Sequence, residues 1–314
     1  MRIAICKSGT RLMDYRRIGI AGPFSGPRRE YGSLLEPAAR SALAERIAAT
    51  GDRDFSIVIA DDAADPATAC KAAETLISEG CRVVVGHFNS DAARAAGPLY
   101  REAGIALLLP AATGDGLAAQ VGAFRLCAPD QAQVRALAGA CTGRRIALVH
   151  DDTAYAGRLV RALSEEIGGR GRQTVAIPLD PCTPVPDSDE AILLGTHVAI
   201  RAALRHWYAG RIGGAQAHPR FLACDDCSIP AFMDGIPPAL AVTIASPMPD
   251  FEAATREGVR LAVDAMRAAP GREIGFLRDS GLFDEVGESI SAGFVLTTGH
   301  GLETGSDGLV GTGA

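Results

Sequence analysis

The sequence predicts an α/β protein with two doubly wound lobes. Short apolar runs of strand length alternate with amphipathic helical segments, which is the pattern of a parallel sheet with crossover helices. The pattern forms two series of similar size, and 314 residues are enough for roughly two domains. Because ligands often bind between domains, a cleft between the lobes is the expected site.

The first series of elements covers residues 18–127. Its helices carry apolar residues on one face, and Pro66 stands at the first position of the second helix, where proline is tolerated. The predicted elements are strand 18–22, helix 31–50, strand 55–60, helix 66–77, strand 83–86, a helix from residue 90, strand 105–109 and a segment 124–127 that closes the first lobe or begins the crossing to the second.

The second series begins at residue 128. Gly168 and Gly169 are predicted to end its second helix, and the glycine-rich end 301–314 is expected to be mobile. The predicted elements are helix 131–141, strand 145–150, helix 155–167, strand 173–179, a proline-rich loop 180–189, strand 191–195, helix 198–207, strands 220–224 and 240–245, helix 251–268 and strand 292–298. The predicted domains are an extension 1–17, lobe 1 of 18–127 with about 250–285, and lobe 2 of 128–249 with about 286–314.

Composition and charge argue against several classes of protein. The net charge of −6 and the absence of a basic stripe argue against nucleic acid as a partner. Only four apolar residues separate Arg2 from Lys7, whereas a secretion signal needs roughly 7–15. As written, the chain is therefore expected in the cytoplasm, or in the periplasm if its start is truncated. Eight scattered cysteines favour free thiols in a reducing compartment.

Residues 83–113 carry the strongest functional signal. Two apolar strands flank one helix, and each strand ends in a polar turn with a hydroxyl, Ser90 and Thr113. Ligands bind beyond the carboxyl ends of parallel strands. Ser90 also begins a helix, where free N–H groups and the helix dipole favour an anion. The pattern predicts a site for a small anionic group.

Other candidate groups indicate no catalytic set. Cys224 and Cys227 have motif spacing, but a single pair favours two semi-buried thiols over a redox or metal site. His87 and His150 follow buried strands without a carboxylate and a nucleophile at a spacing useful for catalysis, and they are interpreted as structural. The acidic pairs 61–62 and 151–152 end strands and are more typical of turns and helix caps than of metal sites. We therefore predict no enzyme activity, no cofactor and no metal.

Several blocks of sequence resemble the leucine/isoleucine/valine-type periplasmic binding proteins. The resemblance begins with residues 18–26 and Tyr31-Gly32 and is strong to about residue 160, then weaker to about 245. The other matching blocks are 61–66, 85–87, Ser90, 110–113, 124–125, 146–151 and Tyr155. The resemblance implies the type 1 fold: two Rossmann-like lobes joined by a hinge, with a ligand cleft that closes like a clamshell.

The resemblance also implies roles for particular residues. Ser90 and Thr113 would bind a ligand carboxylate, and the Ala111 carbonyl would accept from the ligand ammonium. In lobe 2, Asp225 would pair with the ammonium, with Asp226 as the adjacent alternative. The remaining residues implied at the ligand are Tyr31 and Asn89 beside its side chain, Tyr155 near the cleft, and Thr196 where the family usually has Tyr.

Two departures from the family pattern affect these expectations. A first-lobe disulfide of the family is replaced by Ala64 and Asn89, which favours a non-oxidising compartment. The helix expected between strands 173–179 and 191–195 is replaced by the proline-rich loop. The ligand-binding component of an ABC amino acid uptake system is the first functional hypothesis, and a cytosolic amino acid or amide sensor is the alternative. The expected partners are the ligand and either a transporter permease or a regulatory protein, and a homodimer is left open.

Overall fold

The computed structural model describes residues 16–182, 185, 187–208, 219–237 and 240–299. Most of the predicted extension 1–17 and all of the glycine-rich end 301–314 lie outside the described residues. The chain divides into two compact units, and each unit consists of two separate stretches of sequence. Unit 1 comprises Met1–Cys127 and Phe251–Ser291, and unit 2 comprises Ala128–Asp250 and Ala292–Ala314.

Strands and helices alternate along the described chain. Up to Cys127 the elements are β1 (Arg16–Gly22), α1 (Arg29–Thr50), β2 (Phe55–Asp61), α2 (Pro66–Ser78), β3 (Cys81–Val85), α3 (Ser90–Glu102), β4 (Ala106–Leu109), α4 (Leu117–Val121) and β5 (Phe124–Arg125). The elements that follow, up to Asp250, are α5 (Asp130–Ala140), β6 (Arg145–His150), α6 (Ala154–Gly169), β7 (Gln173–Pro178), β8 (Glu190–Leu194), α7 (His197–Tyr208), β9 (Arg220–Ala223) and β10 (Val242–Met248). The last are α8 (Phe251–Ala268), α9 (Glu273–Arg278) and β11 (Gly293–Gly299).

Unit 1 is a five-stranded parallel sheet with the order β2-β1-β3-β4-β5. One face packs against α1 and α8, and the other face packs against α2 and α3. The strands are almost wholly apolar because both faces are covered. Helix α8 follows β5 by more than a hundred residues, yet Val259 and Met266 lie in the same core as Val83 and Leu108.

Unit 2 is a six-stranded sheet with the order β11-β10-β9-β8-β6-β7. Its pairings are parallel except that between β10 and β11, which is antiparallel. The prediction of an α/β protein with two parallel-sheet lobes is confirmed.

Some local predictions were wrong for identifiable reasons. Helix α6 continues through Gly168 and Gly169, and the left-handed residue beyond it is Gly171, with φ of 74°. The N–H of Gly171 donates to the Gly168 carbonyl, so this later glycine ends the helix. The short helices α4 and α9 were not predicted, because five or six residues are too few to establish a helical period.

None of the described helices is long and apolar enough to cross a membrane.

Candidate functional site

The candidate residues of unit 1 follow the carboxyl ends of three strands. Tyr31 comes after β1, Asn89 and Ser90 come after β3, and Ala111 and Thr113 come after β4. In the order β2-β1-β3-β4-β5, the chain reverses its direction of winding between β1 and β3. This is the topological switch point, where the crevice beyond an open α/β sheet binds ligands.

The turn after β3 and the loop after β4 are joined by one hydrogen bond. The N–H of Gly114 donates to Ser90 Oγ over 3.0 Å. The N-cap residue of α3 is Asn89, but its side chain makes no capping bond. Asn89 Oδ1 is buried and has no hydrogen-bond partner among the described residues. The first-turn N–H groups of a helix lack intrahelical acceptors, so the start of α3 is suited to an anion.

Arg125 holds the loop after β4 through hydrogen bonds to its backbone. This role was not predicted from the sequence. The Arg125 side chain is 1% exposed, and Nη1 donates to the carbonyls of Gly114 at 2.7 Å and Ala112 at 3.4 Å. Nε donates to Glu288 Oε2 at 2.6 Å. Thr113, between the two bonded carbonyls, is 4% exposed. A charged residue inside the apolar run 124–127 is the sequence signal that could have indicated this role.

Tyr31 lies in a buried aromatic cluster. Its ring centroid is 4.1 Å from that of Phe88 and 5.9 Å from that of Phe251, and all three residues are buried. Phe88 precedes Asn89, so the cluster fixes one side of the β3–α3 turn. In the structure Tyr31 packs against Phe88 and Phe251. Its place beside a ligand side chain stays a prediction.

His87 has the partners that sequence analysis did not find. Its Nδ1 is 2.7 Å from Asp62 Oδ2, and its Nε2 is 3.1 Å from the Tyr100 hydroxyl. All three side chains are fully buried, so this chain of hydrogen bonds fixes the turn that precedes Ser90. Burial raises the pKa of Tyr100, and the Asp62 charge adds to the increase.

The acidic pair at the end of β2 forms turns. Asp61 Oδ1 accepts from the N–H groups of Phe24, Ser25 and Ala63, and Asp62 Oδ1 accepts from Ala64. Among the described residues, no group of acidic, histidine or cysteine side chains could hold a metal ion.

The candidate residues of unit 2 also follow the carboxyl ends of strands. Tyr155 comes after β6, Thr196 after β8 and Asp225 after β9. In this sheet the winding reverses between β6 and β8. Both units therefore place their candidate residues around a topological switch point.

Tyr155 and Asp225 are in direct contact. The Tyr155 hydroxyl donates to Asp225 Oδ1. Gln133 joins both residues, because its Oε1 accepts from the Asp225 N–H at 2.9 Å and its Nε2 donates to the Tyr155 hydroxyl at 3.4 Å. Burial raises the pKa of Tyr155, and the charge of Asp225 raises it further. Asp225 itself is 5% exposed.

Asp226 has a different set of partners from its neighbour. Its Oδ2 accepts from the backbone N–H of His197 at 2.6 Å and lies 3.2 Å from His197 Nδ1. Both side chains are buried. Asp226 therefore stabilises the start of α7 by accepting a hydrogen bond from its first N–H group.

Thr196 acts at the same helix start. Its Oγ1 accepts from the Ala199 N–H at 3.3 Å, and its own N–H donates to Asp151 Oδ2 at 2.7 Å. Asp151 Oδ1 also accepts from Thr153, so this carboxylate joins the turns after β6 and β8.

Cys224 and Cys227 are buried free thiols on either side of the two aspartates. Cys224 Sγ donates to the Gly195 carbonyl at 3.3 Å. Burial raises the pKa of the Cys227 thiol, and its hydrogen bond with Cys224 raises it further. A thiol with a raised pKa is a weak nucleophile, which does not favour a nucleophilic role for Cys227.

The family model for periplasmic binding proteins matches residues 16–182, more than half of the chain. The Leu/Ile/Val-binding protein of Escherichia coli strain K12 is 31% identical over 173 residues, which cover 52% of this chain and 47% of that protein. The Leu/Ile/Val/Thr-binding protein of Salmonella typhimurium is 29% identical over 183 residues, or 55% of this chain and 50% of that protein. The match thus spans about half the length of these curated relatives.

Solved structures show the same fold over most of the chain. The branched-chain amino acid transporter substrate binding protein LivJ from Streptococcus pneumoniae, in complex with isoleucine, has a TM-score of 0.76 at 18% identity, covering 90% of this chain and 100% of that one. A solute binding protein of an ABC transporter from R. palustris, in complex with 4-hydroxybenzoate, has a TM-score of 0.69 at 16% identity, covering 83% and 82%.

Proposed function

Because this chain belongs to the periplasmic binding protein family, we propose that it binds a small amino-acid-like ligand by clamshell closure and leaves it chemically unchanged. In this proposal it is the substrate-binding component of an ABC amino acid uptake system, and a transporter permease is its partner. The similarity to Leu/Ile/Val-binding proteins and to an isoleucine complex supports an amino acid as the ligand.

One observation carries the proposal most directly. In each unit, the candidate residues follow the two strands that flank the topological switch point of the sheet and the strand next to them, where an open α/β sheet forms a crevice. The two sets also differ in chemistry. Unit 1 supplies hydroxyls and helix-start N–H groups, whereas unit 2 supplies a carboxylate. A zwitterion requires donors at one end and an acidic acceptor at the other.

We assign the carboxylate end of the ligand to unit 1. Ser90, Thr113 and the first-turn N–H groups of α3 would donate to the carboxylate, and the Ala111 carbonyl would accept from the ammonium. Asn89 Oδ1 has no hydrogen-bond partner among the described residues, so it could accept a hydrogen bond from the ligand. Tyr31 would contact the ligand side chain, and its packing against Phe88 and Phe251 would hold its ring in place.

We assign the ammonium end to Asp225. Asp226 is occupied by two nitrogen atoms of His197, which supports Asp225 as the ligand group. Tyr155 would orient the Asp225 carboxylate, and Thr196 would line the neighbouring strand end. A small residue at Thr196 leaves more room than an aromatic side chain would, so the ligand side chain remains to be determined by a screen.

A cytosolic sensor with the same fold is the second candidate. The observation that favours it is the pair of free thiols at Cys224 and Cys227, since closely spaced thiols are more typical of a reducing compartment. Cell fractionation distinguishes the two roles. Recovery with periplasmic markers supports uptake, and recovery with cytosolic markers supports sensing.

Binding is tested by a thermal-shift screen of amino acids, their amides and aromatic carboxylates, followed by calorimetry. A ligand that binds the native state should raise the unfolding temperature. Ser90→Ala and Thr113→Ala should each weaken binding by about 1–3 kcal/mol, because each leaves a charged group with fewer donors. Small-angle scattering of the same samples should show a smaller radius of gyration with ligand.

Ser78→Ala is the matched control, because the Ser78 hydroxyl is exposed and, within the described part of the chain, donates to the Thr75 carbonyl of α2. Unchanged affinity in both site variants would refute the carboxylate assignment. A ligand recovered in chemically altered form would refute the non-catalytic role, and a screen without any ligand would refute the proposed function.

A further inference from the structure

Buried Arg125 forms an ion pair with the partly buried Glu288 next to the loop after β4. Arg125 is among the largest fully buried side chains of the described chain. Its Nη2 lies 2.5 Å and its Nε 2.6 Å from Glu288 Oε2, so the guanidinium presents two nitrogen atoms to one oxygen. The remaining terminal nitrogen, Nη1, donates to the Gly114 carbonyl. The guanidinium thus joins the carboxylate directly to the 110–114 loop.

The backbone also holds Glu288 against β5. The Arg125 N–H donates to the Gly287 carbonyl at 2.7 Å, and Arg125 and Glu288 form a parallel bridge. A Cβ at Gly287 would lie 2.2 Å from the Ala123 carbonyl oxygen, so only glycine permits this approach. Asp284 Oδ1 accepts from the N–H groups of Val286 and Glu288 and shapes the segment.

These contacts form a continuous path to the candidate ligand site. Glu288 bonds Arg125, Arg125 bonds the Gly114 carbonyl, and the Gly114 N–H bonds Ser90 Oγ. Gly114 is therefore held from both sides, and Thr113 lies immediately before it. A guanidinium deprived of its carboxylate in a buried setting would seek other partners or water. The loop conformation then depends on the Glu288 charge.

We propose that Arg125 and Glu288 are positioning residues whose ion pair holds the 110–114 loop in the conformation that receives the ligand, so that loss of the Glu288 charge weakens ligand binding. This inference rests on the proposed function for its effect on affinity. Its effect on the loop does not depend on any ligand.

The charges around Glu288 indicate how acidification would act. Burial raises the pKa of Glu288, Arg125 of β5 lowers it, and Asp284 of the same segment and Asp115 of the loop after β4 raise it, so that the net effect is a raised pKa. A carboxyl with a raised pKa in the folded state gains its proton there at a higher pH than in the unfolded chain. Its protonation therefore favours folding while it removes the partner of Arg125.

Hydrogen exchange of the ligand-free protein tests the positioning role. Glu288→Gln keeps the shape of the side chain and removes its charge. Arg125→Lys keeps the positive charge and removes the guanidinium group that contacts both Glu288 and the loop. Both should raise exchange in residues 110–116 by about tenfold or more, because a charge-assisted bond is lost. Glu273→Gln is the matched control, since Glu273 is a buried carboxylate paired with Arg82 and bonded to Gly271 rather than to this loop.

Ligand affinity across pH provides the second readout. In the wild type, affinity should fall as the pH falls through the raised pKa of Glu288, without loss of thermal stability from this group. In Glu288→Gln, affinity should already be about tenfold lower at pH 7, and the pH dependence due to Glu288 should be absent.

The outcomes separate this inference from the proposed function. Unchanged loop exchange in a folded Glu288→Gln protein overturns it, and so does an equal rise throughout unit 1 in both Glu288→Gln and Glu273→Gln. Failure of both Glu288→Gln and Arg125→Lys to fold also overturns it, since the pair would then be structural. If no ligand binds the wild type, the proposed function fails, and the exchange result still decides the positioning role.

Discussion

Asp225 and Asp226 are adjacent carboxylates with separate tasks. Asp225 is held by the Tyr155 hydroxyl, and its backbone N–H donates to Gln133. Asp226 accepts two hydrogen bonds from His197 at the start of α7. Asp225, the proposed ligand group, is thus directly followed in sequence by Asp226, which stabilises the start of α7.

The two aspartates should respond differently to the same substitution. Asp225→Asn should weaken binding of an ammonium-bearing ligand by about 1–3 kcal/mol and affect a simple amide much less, because only the ammonium requires the charge. Asp226→Asn should lower the free energy of unfolding by about 1–3 kcal/mol, since it disturbs a charge-assisted buried bond. Calorimetry and urea unfolding measure the two effects. Equal losses for both ligands in Asp225→Asn would exclude Asp225 as the ammonium partner.

Sequence patterns indicate candidate residues only where the chemistry is local in sequence. Ser90 and Thr113 stay predictions, made because each lies in the polar turn that follows an apolar strand. The partners of His87 were missed because Asp62 lies on another strand, 25 positions away. Arg125 was missed for the same reason, since Glu288 is 163 positions away. Sequence spacing carries no information about such contacts until the sheet order is known.

At the scale of elements, strands were predicted more reliably than helix ends. The apolar runs are long enough to establish β3, β4 and β8 on their own. Helix ends depend on single residues: Pro66 indicated the start of α2, and in the structure the Asp65 carboxylate caps that helix at the Thr68 N–H. The end of α6 was not identifiable, because three nearby glycines compete for the left-handed position and only Gly171 adopts it.

Glu190 fixes the start of β8 and should stabilise unit 2 in a pH-dependent manner. Its buried carboxylate accepts from Thr142 and Gly143 and pairs with Arg220. Burial alone would raise its pKa, but the Thr142 and Gly143 N–H groups and the Arg220 guanidinium outweigh that effect and lower it. A lowered pKa means that the carboxylate stabilises the fold above its unfolded-state pKa, and that this contribution is lost as the pH falls through the folded-state value.

Glu190→Gln should therefore lower the free energy of unfolding by about 1–3 kcal/mol at pH 7, because charge-assisted hydrogen bonds are replaced by weaker ones. The difference from wild type should shrink as the pH falls below the usual range for glutamate. Urea unfolding at a series of pH values measures it. Glu166→Gln, in the surface pair with Arg170, is the control and should change stability by less than about 0.5 kcal/mol. A Glu190→Gln effect that is independent of pH would contradict the assignment.

At the scale of the whole molecule, the chain builds two cores from four stretches of sequence. The sequence pattern predicted two lobes because each series of strands is itself periodic. The pattern does not by itself predict that residues after about 250 return to lobe 1. Helix α8 is amphipathic wherever it packs, so its pattern alone does not identify the sheet that it covers.

Separate cores should unfold as separate units. Met266→Ala removes a buried side chain of α8 from the core of unit 1, and Leu163→Ala removes one of α6 from unit 2. Each should lower the stability of its own unit by about 2–5 kcal/mol, the usual range for such truncations. Hydrogen exchange measured at low denaturant concentrations reports each sheet separately. Met266→Ala should raise exchange in β1, β3 and β4, although these strands lie more than 150 residues earlier in the chain. Leu163→Ala should raise exchange in β6 and β8. If either substitution raised exchange equally in both sheets, the two units would form one cooperative structure, and stability could not be assigned to them separately.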